Sequence, residues 1–228
     1  MSEPVTPSVG WGVLHLFCRP TGRFDGDAVV AAVGAAVDGG DQVVAVELLG
    51  HKADAAFMAL SPDLRRLRRL QTDLSAAGLD VVDSYVSLTE VSEYAEGVPD
   101  ELKEARLHPR LPPDDKAAWC FYPMSKRRNV DQNWYRLPFD ERRDLMYEHG
   151  ASGRKFAGRV LQVVTGSTGL DDYEWGVTLF ARTPDDLKEV VHVMRFDEAS
   201  ATYAEFGPFF VGAVTPIDDL VAGLARGA

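Results

Sequence analysis

The chain has little of what marks the more specialised protein architectures. Only two cysteines, Cys18 and Cys120, occur in 228 residues, each in its own apolar run and without metal-type spacing. They read as reduced core thiols, which excludes a disulfide scaffold. The longest apolar run, residues 28–37 between Asp27 and Asp38, holds ten residues, far short of the roughly 20 a bilayer-spanning helix needs. Positive charge is in deficit: 24 lysines and arginines face 35 aspartates and glutamates, a net charge of −11. That balance argues against a nucleic-acid partner, which needs a concentrated basic face. The opening MSEPVTPSVG has no basic segment and no apolar stretch, so no secretory signal is visible and a cytoplasmic protein without a membrane partner is expected. Standard chemistry motifs are missing too. There is no P-loop, no dinucleotide fingerprint after a strand, no H-E-x-x-H and no clustered Cys/His set. GSTG (166–169) lacks one residue of the spacing a nucleophile elbow requires and reads as a hairpin turn. RRLRR (65–69) reads as the solvated face of a helix.

What is present is an ordinary globular composition, 46% hydrophobic and 26% charged, long enough for a sizeable core. Residues 10–19 form an aromatic and branched run ending at Pro20, a strand signal. Residues 27–37 carry helical spacing behind an acidic start, with Gly39 and Gly40 as the stop. Strands are expected at 42–49 and 53–60, an amphipathic helix at 62–77 with Leu64, Leu67, Leu70 and Leu74 on one face, and a strand at 81–88. The second half follows the same plan: a strand at 117–124, a helix at 139–149, strands at 160–165 and 173–181, helices at 187–193 and 198–204, and a strand at 209–214. The order β-α-β-β-α-β therefore occurs twice. The expected fold is α+β: two ferredoxin-like βαββαβ repeats forming a dimeric α+β barrel with helices outside. The repeats are placed at 1–95 and 117–228, with 96–116 as connector and the acidic, proline-containing stretch 90–115 as surface linker.

The most specific signal lies in long contiguous segments. They are CFYPMSKRR (120–128), NWYRLPFDERRDLMYEHGASGRKFAGRVLQVVTGSTGLDDYEWGVTLFA (133–181) and MRFDEASATYAEFGPFFVG (194–212). HLFCR (15–19) and HKADAAFMALSPDLRRL (51–67) join them in the first half. Through these segments the chain resembles the chlorite dismutase-like haem protein family, and most closely its Gln-type coproheme decarboxylase branch. The resemblance implies a haem-binding barrel assembled as a homopentamer. It also implies hydrogen-peroxide-dependent decarboxylation of two propionates of Fe-coproporphyrin III (coproheme) to give haem b, with coproporphyrin ferrochelatase as a transient partner. Two other readings stay open: a chlorite dismutase or haem peroxidase, and a non-enzymatic haem-binding protein on the same barrel.

Single residues can be weighed both ways. His149, after an amphipathic helix and before Gly150, reads on its own as a surface cap on the helix dipole; the match of LMYEHG implies an axial iron ligand. Glu198 is the candidate for orienting that imidazole, or else an ordinary helix N-terminal acid. Tyr122 reads on its own as a barrel-lining aromatic; the resemblance implies that its phenol becomes a radical and takes hydrogen from a propionate. Four propionates call for cationic or hydroxyl anchors, and the resemblance implies Arg106, Lys126 (on the loop after the Tyr122 strand) and Ser200, with Met124 also contacting the porphyrin. Gln162, thirteen residues after His149, stands where the resemblance places the anion-holding arginine of chlorite dismutases. A neutral amide there counts against chlorite chemistry.

Overall fold

The computed structural model describes residues 3–226. In chain order the elements are β1 (Gly12–Pro20), α1 (Gly26–Asp38), β2 (Gln42–Leu49), β3 (Ala55–Ser61), α2 (Leu64–Ala76), β4 (Leu79–Thr89) and α3 (Asp100–Leu107). There follow β5 (Ala118–Lys126), a 3-10 turn (Trp134–Arg136), α4 (Phe139–Arg154), β6 (Val160–Gly166), β7 (Trp175–Ala181), α5 (Pro184–Met194), α6 (Glu198–Ala201), β8 (Ala204–Phe206), β9 (Phe210–Val214) and α7 (Ile217–Leu224).

All strand pairs are antiparallel, in the order β7-β6-β4-β1-β3-β2-β9-β5-β8. A further pairing of β7 with β5 closes the sheet into a ring. The first half has the internal order β4-β1-β3-β2, and β9-β5-β7-β6 repeats it, so the expected ferredoxin-like order occurs in both halves. Two seams join them. At one, β2 pairs with β9 from Val46↔Val214 to Leu49↔Val211. The other rests on two residue pairs, Leu88↔Gly166 and Thr89↔Thr165. The thin seam is reinforced by side chains: Ser87 Oγ donates to Thr165 Oγ1 at 2.8 Å, and Asp171 Oδ2 accepts from Val86 N–H at 2.7 Å. The GSTG loop sits here as the β6–β7 hairpin turn. Its Ser167 is fully buried, hydrogen-bonded to the Tyr85 hydroxyl and donating to the Tyr173 carbonyl.

Local sequence explains the elements. Asp25, Asp63 and Thr183 cap α1, α2 and α5, each side chain accepting from a first-turn N–H. On α2 the Leu67, Leu70 and Leu74 stripe is buried while Arg65, Arg68 and Arg69 stay on the exposed side, as the RRLRR motif suggested. Gly78 ends that helix at φ +87°, where a Cβ would collide with the Arg23 carbonyl. Helices α1, α2 and α7 cover one stretch of the outer sheet face, burying Val29, Val33, Leu70, Leu74 and Leu220 against Leu16 and Phe57. Inside the ring lies an aromatic core in which Phe17 stacks on Phe210 at 3.7 Å and neighbours Phe121 at 5.6 Å. Both cysteines are buried free thiols.

Four expectations need correction. The stretch 90–115 is no plain linker. It holds α3 and is tied down where Gln42 donates to the Pro109 carbonyl and accepts from Leu111 N–H, at 2.8 and 2.7 Å. Helix α4 continues past His149 and Gly150 to Arg154, because packing against α5 and α6 offsets the roughly 1 kcal/mol that each helical glycine costs. Residues 198–204 are not one helix: α6 stops at Ala201 and β8 begins at Ala204, where pairing to β5 takes over the backbone hydrogen bonds. Helix α7, with Leu220 and Leu224 buried, was not anticipated.

The interior also holds a histidine. His15 on β1 is fully buried, and its Nε2 lies 2.9 Å from Thr178 Oγ1 on β7 across the ring. Burial lowers its pKa from 6.5 to about 3. Between those values the unfolded chain binds a proton that the folded chain does not, so stability rises with pH across the window and is lost as pH falls. The loss amounts to roughly 5 kcal/mol at its foot. Urea unfolding of His15→Leu should show a flatter dependence between pH 6.5 and 5 than the parent. An unchanged slope would show that other groups carry the acid sensitivity.

Candidate functional site

Strand β5 presents two faces. Trp119 and Phe121 enter the barrel core, whereas Cys120, Tyr122, Met124 and Lys126 share the outer face by the period of two. Register extends that face across the sheet. Cys120 lies opposite Leu179, which lies opposite Gln162; Tyr122 lies opposite Val177, which lies opposite Val164. Gln162 therefore stands on the same face as Tyr122 with one strand between them.

This face is only partly covered. Helix α5 packs on β5, β7 and β6, but α4 packs against α5 and α6 instead of against the sheet. None of the sixteen residues of α4 is buried, and Leu145 and Met146 are half-exposed. On the sheet, Gln162 is exposed and Val164 is 40% exposed, while Phe206 on β8 is 42% exposed. Apolar groups left open on a helix and on the sheet face are what the two sides of a cleft for a flat apolar molecule require, and we term the region the cleft.

Tyr122 is the buried member of this face. It is 7% exposed, stacks on Phe209 at 4.5 Å and meets Phe206 edge-on at 5.6 Å. Burial pushes its phenol well above the usual range, so it is protonated at neutral pH. Met124, the next residue on the face, is half-buried beside it.

His149 lies in α4, not at its end. Its Nδ1 is 3.0 Å from Asp197 Oδ2 and 3.3 Å from Ser200 Oγ. The carboxylate expected here was Glu198, and the structure replaces it with Asp197, one residue earlier. Asp197 is the N-cap of α6 and accepts from Ser200 N–H at 2.9 Å, whereas Glu198 is exposed and accepts from the Thr202 hydroxyl. Burial raises the Asp197 carboxyl, but hydrogen bonds from His149 and Ser200 outweigh it and hold the group below the usual carboxylate range. With Nδ1–H donated to Asp197, Nε2 keeps the free lone pair of a metal ligand. Ser200 is buried in this network, its hydroxyl beside the imidazole; it is not an open anchor.

Lys126 is likewise not on a loop. It is the last residue of β5 and 7% exposed, and its Nζ donates to the Ala199 carbonyl at 2.7 Å and lies 4.4 Å from the centre of the Trp134 ring. Burial pulls its pKa down to about 8, against Asp197 and Glu174, which raise it. Glu174, itself buried, accepts from Lys126 N–H at 2.8 Å, pairs with Arg128 and lies beside the Tyr135 phenol. It thereby pins the start of the 127–133 loop. Arg106 is exposed in the last turn of α3, with no hydrogen bond or ion pair of its guanidinium among the described residues. The structure does not draw it into the Tyr122–His149 group. Asp197, Trp134 and Glu174 went unnoticed in the sequence. For Asp197 a signal existed, since aspartate is among the preferred N-cap residues at the start of a helix.

Among the described residues there is no cluster of three or more His, Cys, Asp or Glu able to hold a bare metal ion, and no helix long and apolar enough to cross a membrane. One oriented imidazole beside an apolar cleft fits a metal that arrives already held in a flat macrocycle. The comparisons agree with that chemistry. The chlorite dismutase family profile matches residues 26–215. The chain belongs to the chlorite dismutase family. It is 42% identical to the coproheme decarboxylase of Staphylococcus carnosus, over 96% of this chain and 98% of that one. It superposes on a haem-binding protein from Thermus thermophilus with a TM-score of 0.84 and 37% identity, covering 99% and 100% of the two chains. A mutant chlorite dismutase from Candidatus Nitrospira defluvii shares the fold at a TM-score of 0.76 and 18% identity, covering 96% of this chain and 97% of that one.

The Asp197 assignment is testable without a ligand. Asp197→Asn should lower stability by roughly 1.5–3 kcal/mol, the range for hydrogen bonds to a charged group. Glu198→Gln should change it by less than about 0.5 kcal/mol. Because the Asp197 carboxyl is held low in the folded state, the Asp197→Asn deficit should be complete at pH 7 and shrink as pH falls below about 4. Urea titrations at both pH values check this; equal deficits in the two variants would refute it.

Proposed function

We propose that the cleft binds Fe-coproporphyrin III and that this protein converts two of its propionates to vinyl groups with hydrogen peroxide, yielding haem b. One observation carries the reading. In a chain 42% identical to a coproheme decarboxylase, a buried, protonated Tyr122 lies on the partly covered sheet face, and Asp197 orients His149 on the helix that leaves that face open. In this reading His149 holds the iron through Nε2, and Asp197 keeps Nδ1 protonated and the ring fixed. When bound, the iron porphyrin supplies the one-electron oxidising power that peroxide makes available.

The rest falls to the chain. Turning a propionate into a vinyl group releases carbon dioxide, a proton and two electrons, and one peroxide, reduced to two waters, accepts the electrons. Ionic loss of carbon dioxide would leave an unstabilised carbanion, so hydrogen-atom transfer is required. Tyr122 gives up its phenolic hydrogen and takes one from the propionate side chain as a tyrosyl radical. The burial that keeps the phenol protonated serves this role, and Phe206 and Phe209 keep water from the ring. Lys126 supplies a positive charge on the Tyr122 face, Met124 lines the cleft between them, and Ser200 contributes its hydroxyl beside His149. Gln162 offers the open side of the cleft an amide without charge. A homopentamer in the cytoplasm, fed by transient contact with coproporphyrin ferrochelatase, completes the reading. The exposed Leu49–Val211 pair on the outer face of the β2–β9 seam supports self-association.

Apo-protein loaded with Fe-coproporphyrin III and titrated with peroxide should lose two carboxyl groups by mass spectrometry. Tyr122→Phe should bind the porphyrin normally and leave it unconverted. Conversion by Tyr122→Phe at the parent rate would remove the radical role, and an unchanged porphyrin with the parent protein would leave a haem-binding protein only.

Gln162 separates the chlorite reading. A neutral amide compensates an anionic ligand poorly in a low-dielectric cleft. The parent protein should therefore release oxygen from chlorite slowly and bleach its haem. Gln162→Arg should tighten small-anion binding to the iron by roughly tenfold, about 1.4 kcal/mol. Fast, sustained oxygen release at an oxygen electrode by the unmodified protein would overturn the branch assignment.

A further inference from the structure

A propionate-anchoring role leaves the surroundings of Lys126 unexplained. Its ammonium already donates to the Ala199 carbonyl at 2.7 Å and is seated over the face of Trp134, itself 3% exposed. Ala199 belongs to α6, the four-residue turn whose N-cap Asp197 accepts from His149 Nδ1 and whose Ser200 hydroxyl lies 3.3 Å from the same nitrogen. One side chain thus links the end of β5, four residues from Tyr122, to the turn that orients His149. A turn of four residues is far too short to hold its own place, since isolated helices need roughly 12–15 residues even to be marginal. Its position therefore depends on contacts from outside, and the Lys126 ammonium is a buried, charge-assisted one. The charged groups facing that ammonium are Asp197, on the α6 side, and Glu174 at the start of β7, the latter already paired with Arg128.

We propose that Lys126 is a positioning residue for His149: its ammonium holds the α6 turn, and with it the Asp197 carboxylate, at hydrogen-bonding distance from the imidazole. The proposal rests on His149 being the iron ligand and adds a linkage to that reading. A substrate carboxylate that draws the ammonium away from Ala199 loosens the hold on the imidazole, and by reciprocity the state of the imidazole affects how readily the ammonium turns to the carboxylate. Propionate binding and axial ligation are then coupled through one lysine, between the two sides of the cleft.

The test uses Lys126→Met, which keeps side-chain length and contact with Trp134 but removes the donor, and Lys126→Arg, which restores a donor. Lys126→Gln, with one neutral donor, serves if the Met variant does not fold. The first readout needs no porphyrin: the His149 Nδ1–H resonance of the full chain in proton–nitrogen NMR, assigned by its loss in Asp197→Asn. It should be present in the parent, exchange with water at least about tenfold faster in Lys126→Met, and return in Lys126→Arg. The second readout loads the same proteins with haem b, whose propionates have no reaction left to run. The ferrous iron–histidine stretching band in resonance Raman should fall in Lys126→Met and recover in Lys126→Arg. An unchanged Nδ1–H signal together with an unchanged stretching band in Lys126→Met would overturn the proposal. If the parent shows no histidine-bound haem while the porphyrin-free signal still responds to Lys126→Met, the proposed function fails and the positioning role of Lys126 stands.

Discussion

Pairing along both edges of β5, with β7 on one side and β9 then β8 on the other, closes the ring and at the same time builds the site. Alternation then divides its residues without further instruction. Trp119 and Phe121 fill the barrel, and Cys120, Tyr122, Met124 and Lys126 face outward. A one-residue slip of this strand would exchange core and site. The register is secured from both sides, by Phe121 packed against the stacked Phe17–Phe210 pair inside and by Phe209 against Tyr122 outside. The handover from β8 to β9 matters equally. Where β8 stops, the chain crosses Gly207 and Pro208 and β9 takes over the edge, so that Phe206 and Phe209 both reach Tyr122. Gly207 is required there, because a Cβ would lie 2.6 Å from Pro123 and 2.7 Å from the Tyr173 ring.

The second constraint is electrostatic. Asp197, Glu174 and Lys126 are all buried within a chain of strongly negative net charge, and burying a charge is costly unless it is paired. Each is met: Asp197 by His149 and Ser200, Glu174 by Arg128 and the Lys126 N–H, and Lys126 by the Ala199 carbonyl and the face of Trp134. The pairs are not independent, since Lys126 touches the turn that carries Asp197 and its backbone is held by Glu174. Charge here ties the α6 turn to the end of β5 and to the residue just before β7, adding to the strand pairing already present there.

The barrel was legible in the sequence because its signals are local. Aromatic and branched runs, the glycine stops and the leucine stripe of α2 do not depend on partners elsewhere in the chain. The site was legible only through resemblance, and the errors show why. Glu198 and Asp197 are adjacent acids before the same short helix, and nothing in their spacing says which one turns inward. That is decided by the N-cap backbone of Asp197, which lets its side chain accept from Ser200 N–H and meet α4. Lys126 looked like a loop residue because KRR is a basic run, yet pairing to β8 extends the strand through it and Trp134 folds over it. Helix α4 was ended too early because Gly150 looks like a stop, and a stop signal yields to tertiary packing against α5 and α6.

The open cleft is the remaining feature that stability alone does not explain. Helix α4 buries no residue, and Val164 and Phe206 stay exposed at 40% and 42%. Moving α4 onto the sheet would bury that surface at a gain of about 25 cal/mol per Å². The structure holds it off. Asp197 fastens His149 to α6, Lys126 fastens α6 to the end of β5, and Arg142 near the start of α4 donates to the Tyr94 hydroxyl at 2.9 Å. Polar contacts along α4 therefore set its position and leave apolar surface uncovered. Under the proposed function, a porphyrin covering that surface would collect the apolar gain that the fold forgoes. Most of the hold would then come from the faces of the macrocycle, with His149 left to tune the metal.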